Sequence, residues 1–493
     1  VRSAPGDHGG EYVVAQWGSG VRIDHDVFGQ ARLLTTTGRG YAAASDSLLV
    51  LTELRRELRD AVTPRLEALL ARTVPSEVVG QQISPETIVA EVDYVPAGRG
   101  IELTDRGRRW SLTGDPVGHR LRDDGTPYED AIRDGALAVA RTVATLTDID
   151  GWETHLSLSG GLDSRLVLAG AFATGREHHL RISVARNGER FAADYAAAIN
   201  LVSTYSLPVG SRSSAPVPSR TDDELAHWAG SLLGVYDGWG PIRTRRHNSS
   251  AFGLTGIGAE LLKGNWEWRT MDGLLDALRP GSEAADAVRA QIGKALASVA
   301  AEPEVPDASE LYYLGYRNGI HGAAGHISRH MTGTHPAMQL ALARLGHRTT
   351  NGPRGPSSTF LGSPEAIVDL TVLLAPELAL QPYDLVERNR SRADVEGRLR
   401  SLGGPIEGAP MYDVFGHPDD VPAGQSAFSV AIGETAGFTG RLEVDPLLAR
   451  VPAALETIQD PQVRAAMEAL HACGIRNVVM MTGDNRKTAE SVA

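Results

Sequence analysis

The chain has 493 residues, of which 42% are hydrophobic and 22% charged, ordinary values for a globular protein with material for two or three domains. A formal net charge of -13 argues against nucleic acid as a partner, and no run approaches the roughly 20 apolar residues that span a bilayer, so no membrane partner is expected either. Cys473 is the single cysteine, which rules out a disulfide framework and a thiolate metal site and suits a cytoplasmic protein; Lys263, Lys294 and Lys487 are the only lysines, so arginine carries most positive charge.

Up to about residue 115 the chain is mainly β in character. Short alternating segments, Glu11-Tyr-Val-Val-Ala-Gln-Trp17 and Tyr41-Ala-Ala-Ala-Ser-Asp46, predict strands, and residues 48–58 predict a helix. From about 116 to 450, strands alternate with helices, which predicts a parallel sheet covered by helices. Within that part the run Leu156-Ser157-Leu158-Ser159-Gly160-Gly161-Leu162-Asp163-Ser164 is the most informative. An alternating strand empties into a glycine-paired turn, and a helix follows up to Gly175.

That order of parts suits a phosphate. Gly160 and Gly161 remove the Cβ atoms that keep an anion from the backbone N–H groups, Ser159 and Ser164 add hydroxyl donors, and the helix presents its positive end. Asp163 repels a bare phosphate, so its presence there calls for a divalent cation between the two, and the site reads as one for a magnesium nucleotide. Further on, residues 179–185 read as a buried strand and 189–200 as an alanine-rich helix. Beyond 310 the pattern is mostly helical, with Ile367, Leu370 and Leu374 spaced as on a packed helix that ends at Pro376. His321, His326, His330 and His335 lack the spacing of a zinc hydrolase, so no metal site is expected from them. No Gly-x-Ser-x-Gly elbow suggests a hydrolase triad.

Ser-Gly-Gly-Leu-Asp-Ser at 159–164 resembles the pyrophosphate loop of the ATP pyrophosphatases, in particular the asparagine synthetase and β-lactam synthetase group. A second segment, Thr255-Gly256-Ile257-Gly258-Ala259-Glu260, looks like that family's Ser-Gly-Glu-Gly-Ala-Asp-Glu passage. The resemblance implies an α/β fold: a β-rich, degenerate amidotransferase-like domain over 1–115, then a parallel-sheet, adenine nucleotide α-hydrolase-like ligase domain over 116–450 with a helical C-terminal part. It further implies that Ser157, Ser159, Gly160, Gly161, Leu162, Asp163 and Ser164 bind ATP. Ser183 and Val184 would border the base, and Thr255, Gly256 and Gly258 would lie near the adenosine. Asp163 and Glu260 would hold Mg²⁺ and carry the catalysis.

The chemistry so implied is that of a carbon–nitrogen ligase. A substrate carboxylate attacks the α-phosphorus of ATP, pyrophosphate leaves into the glycine turn, and an amine displaces AMP to give an amide. This chain departs from the family in three places. Its N-terminal part has no cysteine to release ammonia from glutamine; Ile257 stands where relatives have a glutamate or tyrosine; and no lysine lies between Lys294 and Lys487, so that Arg388, Arg390 or Arg392 would have to replace a late catalytic lysine. The missing cysteine and the isoleucine at 257, with the nucleotide motifs retained, favour the kind of ligase that joins a side-chain carboxylate to an amine of the same substrate, as lasso-peptide macrolactam synthetases do. The expected partners are a small-molecule or peptide carboxylate, with a precursor peptide and its leader protease. The alternatives are a glutamine-hydrolysing asparagine synthetase with an incomplete N-terminus, and a non-catalytic ATP-binding or decayed fusion protein. Residues 455–493 resemble the hinge of a P-type cation ATPase, without its phosphorylated aspartate.

Overall fold

A computed structural model describes residues 12–412 except 18–20, 75, 77, 105–107, 123–124, 185–190, most of 210–250, 277, 279–280, 323–330 and 348–363; beyond 412 it describes the strand 479–481, without its side chains. The N-terminal strands are β1 (Val13–Trp17), β2 (Val21–His25), β3 (Leu34–Gly38), β4 (Tyr41–Ser45), β5 (Val92–Tyr94), β6 (Gly100–Thr104) and β7 (Arg109–Thr113). They form two antiparallel sheets, one in the order β1-β2-β6-β7 and the other built on β4-β3-β5. The strand 479–481 pairs antiparallel with the outer edge of β4, Met480 opposite Ala43. The rest of the segment read as an ATPase hinge lies outside the described residues.

Alternation along the strands divides the faces. Ala44 joins Ile23 and Ile101 in a small core shared by the two sheets, whereas Tyr41 and Ala43 turn the other way, toward helices. Helix α1 (Leu48–Glu57) starts at Ser47, whose hydroxyl accepts the Val50 N–H at 3.3 Å, and α2 (Leu66–Ala71) follows.

The second part opens with the short α3 (Val117–Arg120) and the long α4 (Tyr128–Thr147), then runs β8 (Glu153–Leu158), α5 (Asp163–Ala173), β9 (Leu180–Val184), α6 (Ala192–Thr204) and β10 (Ala251–Leu254). After α7 (Glu260–Lys263), α8 (Met271–Leu275) and α9 (Glu283–Val299), helix α10 (Ala308–Tyr312) widens into a π-helical turn, Tyr313–Asn318. The last described elements of this part are β11 (Thr332–Thr334), α11 (Leu340–Gly346), α12 (Glu365–Leu374), α13 (Pro376–Ala379) and α14 (Arg392–Ser401).

Strands β8 to β11 pair in parallel, in the order β9-β8-β10-β11. The chain therefore leaves β8 toward one edge, reaches β9, and crosses back to β10 on the opposite side of β8. Such a reversal is a switch point, and it is in the crevice beyond the carboxyl ends of the strands beside it that open parallel sheets hold ligands. Helix α5 is buried on nearly every side, which its apolar composition permits: it packs between α4 and α12. Helix α4 presents Ile132, Ala136, Val139 and Val143 as one stripe.

The mixed α/β class, the β-rich start and the parallel sheet agree with the sequence. The run beyond 310, expected to be helical, also supplies β11, a three-residue edge strand too short to be read from alternation. The expected boundary near 115 is crossed by a continuous core. Leu34, Tyr94 and Leu51 of the N-terminal part cluster with Ile292, Leu296, Tyr312 and Tyr316 of the second. Packing is closest where the backbone at Gly319 meets Gly29: a Cβ at 319 would lie 2.1 Å from the Gly29 carbonyl oxygen. Backbone cannot yield as a side-chain tip does, so Gly319→Ala is expected to destabilise the protein by ~1–3 kcal/mol and advance its thermal unfolding. An unchanged transition would contradict this contact.

Candidate functional site

The first loop of the crevice is the turn 159–162 between β8 and α5. Thr154, Leu156 and Leu158 enter the core, so the strand delivers the turn to the sheet edge with Ser157 on the half-buried face. Two serines close the turn. The Ser159 N–H donates to the Ser164 hydroxyl at 2.9 Å, and the two hydroxyls lie 3.0 Å apart.

The two glycines do different work. The Gly160 N–H is engaged, donating to Asp194 Oδ1 on α6 at 2.9 Å, and a Cβ there would stand 2.5 Å from the Asp194 carbonyl oxygen. Gly160 is thus required by the approach of α6. A Cβ on Gly161 would make only ordinary contacts, 3.6 Å to the Ser159 hydroxyl and 3.9 Å to Arg388 and Asp384, and its N–H donates to the Ser159 hydroxyl at 3.4 Å. Leu162 sends its side chain into the core, which leaves only its backbone for a ligand. Ser183 and Val184 pair with Ser157 and Leu158, so the end of β9 adjoins the turn; Val184 is buried and Ser183 half-buried.

The second loop, 255–259, follows β10 and touches the first. Gly256 lies so close to the start of α5 that a Cβ would be 2.6 Å from the carbonyl carbon of Asp163 and from the Ser164 nitrogen. Thr255 is buried, its hydroxyl 2.6 Å from His335 Nδ1 and accepting the Ile257 N–H at 3.2 Å. Gly258 has φ +102°, and a Cβ would strike the Met338 nitrogen at 2.6 Å. Its N–H donates to Glu260 Oε2 at 2.7 Å, and the Tyr313 hydroxyl reaches Glu260 Oε1 at 3.3 Å from the π-helical turn.

Asp163 and Glu260 are thereby brought to one place from two loops. Desolvation first, and then the charge of Asp163, push the Glu260 carboxyl up to about 7. Lys263, three residues after Glu260, sets its ammonium on both Asp163 oxygens, at 2.7 and 2.6 Å. Among the described residues no group of three histidine, cysteine, aspartate or glutamate side chains forms a metal cage. Two carboxylates fit Mg²⁺ nevertheless, since that ion takes one or two protein carboxylates and completes its shell with phosphates and water.

A third segment closes the far side. The buried Arg165 guanidinium, immediately after the turn, donates to the carbonyls of Gly160, Leu378, Gln381 and Pro382 and lies 3.6 Å from the Tyr383 ring centre. The Asp384 N–H adds a bond to the Gly160 carbonyl at 3.1 Å. This clamp brings Arg388, paired with Asp384 at 2.9 Å, beside Gly161. Of the three arginines considered for the missing lysine, Arg388 is the one that comes to the turn; Arg390 pairs with Glu365 and Asp394, and Arg392 opens α14.

Of the four histidines, His335 holds Thr255, and His321 is pushed down to about 4 by burial and by Arg317; His326 and His330 lie outside the described residues. Sequence reasoning missed Arg165, Asp194, Tyr313 and the Asp163–Lys263 pair. Only Lys263 carried a signal, as one of three lysines and at i+3 from Glu260. No family model matches the chain, and no curated protein is significantly similar to it.

Two outcomes follow. Arg165→Met strands four carbonyls and is expected to cost ~3 kcal/mol or more, with faster proteolysis in 376–388; equal protease resistance would contradict the clamp. A carboxyl whose folded pKa is raised holds its proton longer in the native state, so the contribution of Glu260 to stability is complete below 4.5 and is lost as pH rises through about 7. Denaturation midpoints of wild type and Glu260→Gln are therefore expected to diverge across that window, the wild type losing more; parallel curves would contradict the desolvated carboxyl.

Proposed function

We propose that this chain is an ATP-dependent, AMP- and pyrophosphate-forming ligase of the asparagine synthetase type, which adenylates a carboxylate and condenses it with an amine. The observation that carries the reading is the meeting of the two motif loops at the switch point of the sheet, with Asp163 and Glu260 in one electrostatic environment.

The division of labour follows from the residues. Ser159, Gly161 and Ser164, with the positive end of α5, bind the leaving pyrophosphate. Arg388 adds charge on the side of Gly161, where negative charge grows as the phosphorus bond breaks. Asp163 and Glu260 would hold Mg²⁺, which when bound neutralises the polyphosphate. Thr255, kept in place by His335, and Ser183 at the end of β9 border the nucleoside side. The protein's main contribution is alignment of carboxylate and α-phosphorus within a partly closed crevice.

The acceptor we favour is an amine within the same peptide substrate, giving a macrolactam, with a precursor peptide and its leader protease as partners in the cytoplasm. One feature supports it: Ile257 offers no proton-accepting group. The N-terminal part, read as amidotransferase-like, packs against the segment that bears Tyr313. A non-catalytic ATP-binding protein is the second reading, favoured by the ion pair that already engages Asp163.

Incubation with Mg-ATP and carboxylate-bearing peptides is expected to yield AMP and pyrophosphate and to exchange labelled pyrophosphate into ATP. Asp163→Asn is expected to slow that exchange by at least about a hundredfold. ADP as the sole nucleotide product contradicts adenylation, and tight ATP binding without exchange favours the second reading.

A further inference from the structure

Lys263 closes α7 and shares a helix face with Glu260. Its ammonium spans the contact between the two loops to reach both oxygens of Asp163, and the two side chains keep 30% and 31% of their exposure, so the crevice gives access to the pair. The other described lysine, Lys294, is held by Glu67 and Glu86 at 3.1 and 2.9 Å. Lys263 is therefore the lysine, among the described residues, that faces the motif loops.

One ammonium against two carboxylates leaves the site short of positive charge. A divalent ion compensates both acids, but it takes Asp163 only if the ammonium lets go. A lysine stem has four rotatable bonds and a compact, strongly hydrated head, so release needs a new anion rather than a rearranged fold. A polyphosphate beside Gly161 is such an anion.

We propose that Lys263 is a placeholder cation: it holds Asp163 in the nucleotide-free protein, yields that carboxylate to the divalent ion, and turns to the polyphosphate that arrives with it. This rests on the nucleotide reading above. It couples the two ligands, because the metal alone must displace an ammonium that gains only solvent in exchange for its carboxylate, whereas metal and nucleotide together supply both replacements, and such coupling is reciprocal. Lys263 thereby acts as a positioning residue for the nucleotide.

The test is Mn²⁺ binding to the full chain without nucleotide, read from the spectrum of free Mn²⁺, alongside ATP binding in EDTA. Lys263→Met, which keeps the stem and removes the charge, is expected to bind Mn²⁺ about tenfold more tightly than wild type and ATP in EDTA about tenfold more weakly. Lys263→Gln carries the same expectation should the methionine variant fail to fold, and Lys263→Arg is expected to stay near wild type for Mn²⁺. Equal Mn²⁺ affinity in wild type and the neutral variants overturns the proposal, whether or not wild type exchanges pyrophosphate. Tightened Mn²⁺ binding with no ATP binding by any chain overturns the polyphosphate half and the nucleotide reading together, and leaves the hold on Asp163 supported.

Discussion

The site depends on one electrostatic constraint: two carboxylates, Asp163 and Glu260, are drawn from separate loops to one place, where burial and the charge of Asp163 push the Glu260 carboxyl up. Each is fixed by its own turn, Asp163 as the first residue of α5 and Glu260 by the Gly258 N–H. The fold forces them together because β8 and β10 are neighbours, and because Gly256 lets one loop rest on the backbone of the other. Like charges so placed need a cation. Lys263 supplies one within the chain, and the arrangement suits a divalent ion when phosphate is present.

Around that pair the first turn is tied to the rest of the structure by buried hydrogen bonds. Arg165 ties the turn to 378–382 through the Gly160 carbonyl on one side and three carbonyls on the other, and stacks on Tyr383, so the position of Arg388 is inherited from the buried start of α5 rather than from a free loop. The N-terminal sheet and helix share a core with Tyr312 and Tyr316, and the π-helical turn that starts at Tyr313 brings its hydroxyl to Glu260. A π-helical step changes which residues share a face, and such steps recur at functional sites. The N-terminal part thus buttresses the segment that bears Tyr313 through a shared core.

Local structure is readable in the sequence, and long-range pairing is not. The strand, glycine turn and helix at 153–173 announced themselves through alternation, paired glycines and a run of apolar residues, as did β4, α1, β9 and α12. The separate duties of Gly160 and Gly161 were hidden, because only the approach of α6 distinguishes them. Arg165 looked like one arginine among many, and its burial follows from carbonyls more than 200 positions away. Tyr313 was invisible for the same reason, and β11 was too short to stand out beside its helical neighbours.

The most direct test is the structure of the chain bound to Mn²⁺ and an ATP analogue with a non-cleavable α,β bridge, with the ion located by its anomalous scattering. The account predicts the ion between Asp163 and Glu260 and the polyphosphate against Gly161. Nucleotide bound elsewhere, or an ion that leaves Asp163 on Lys263, would contradict it.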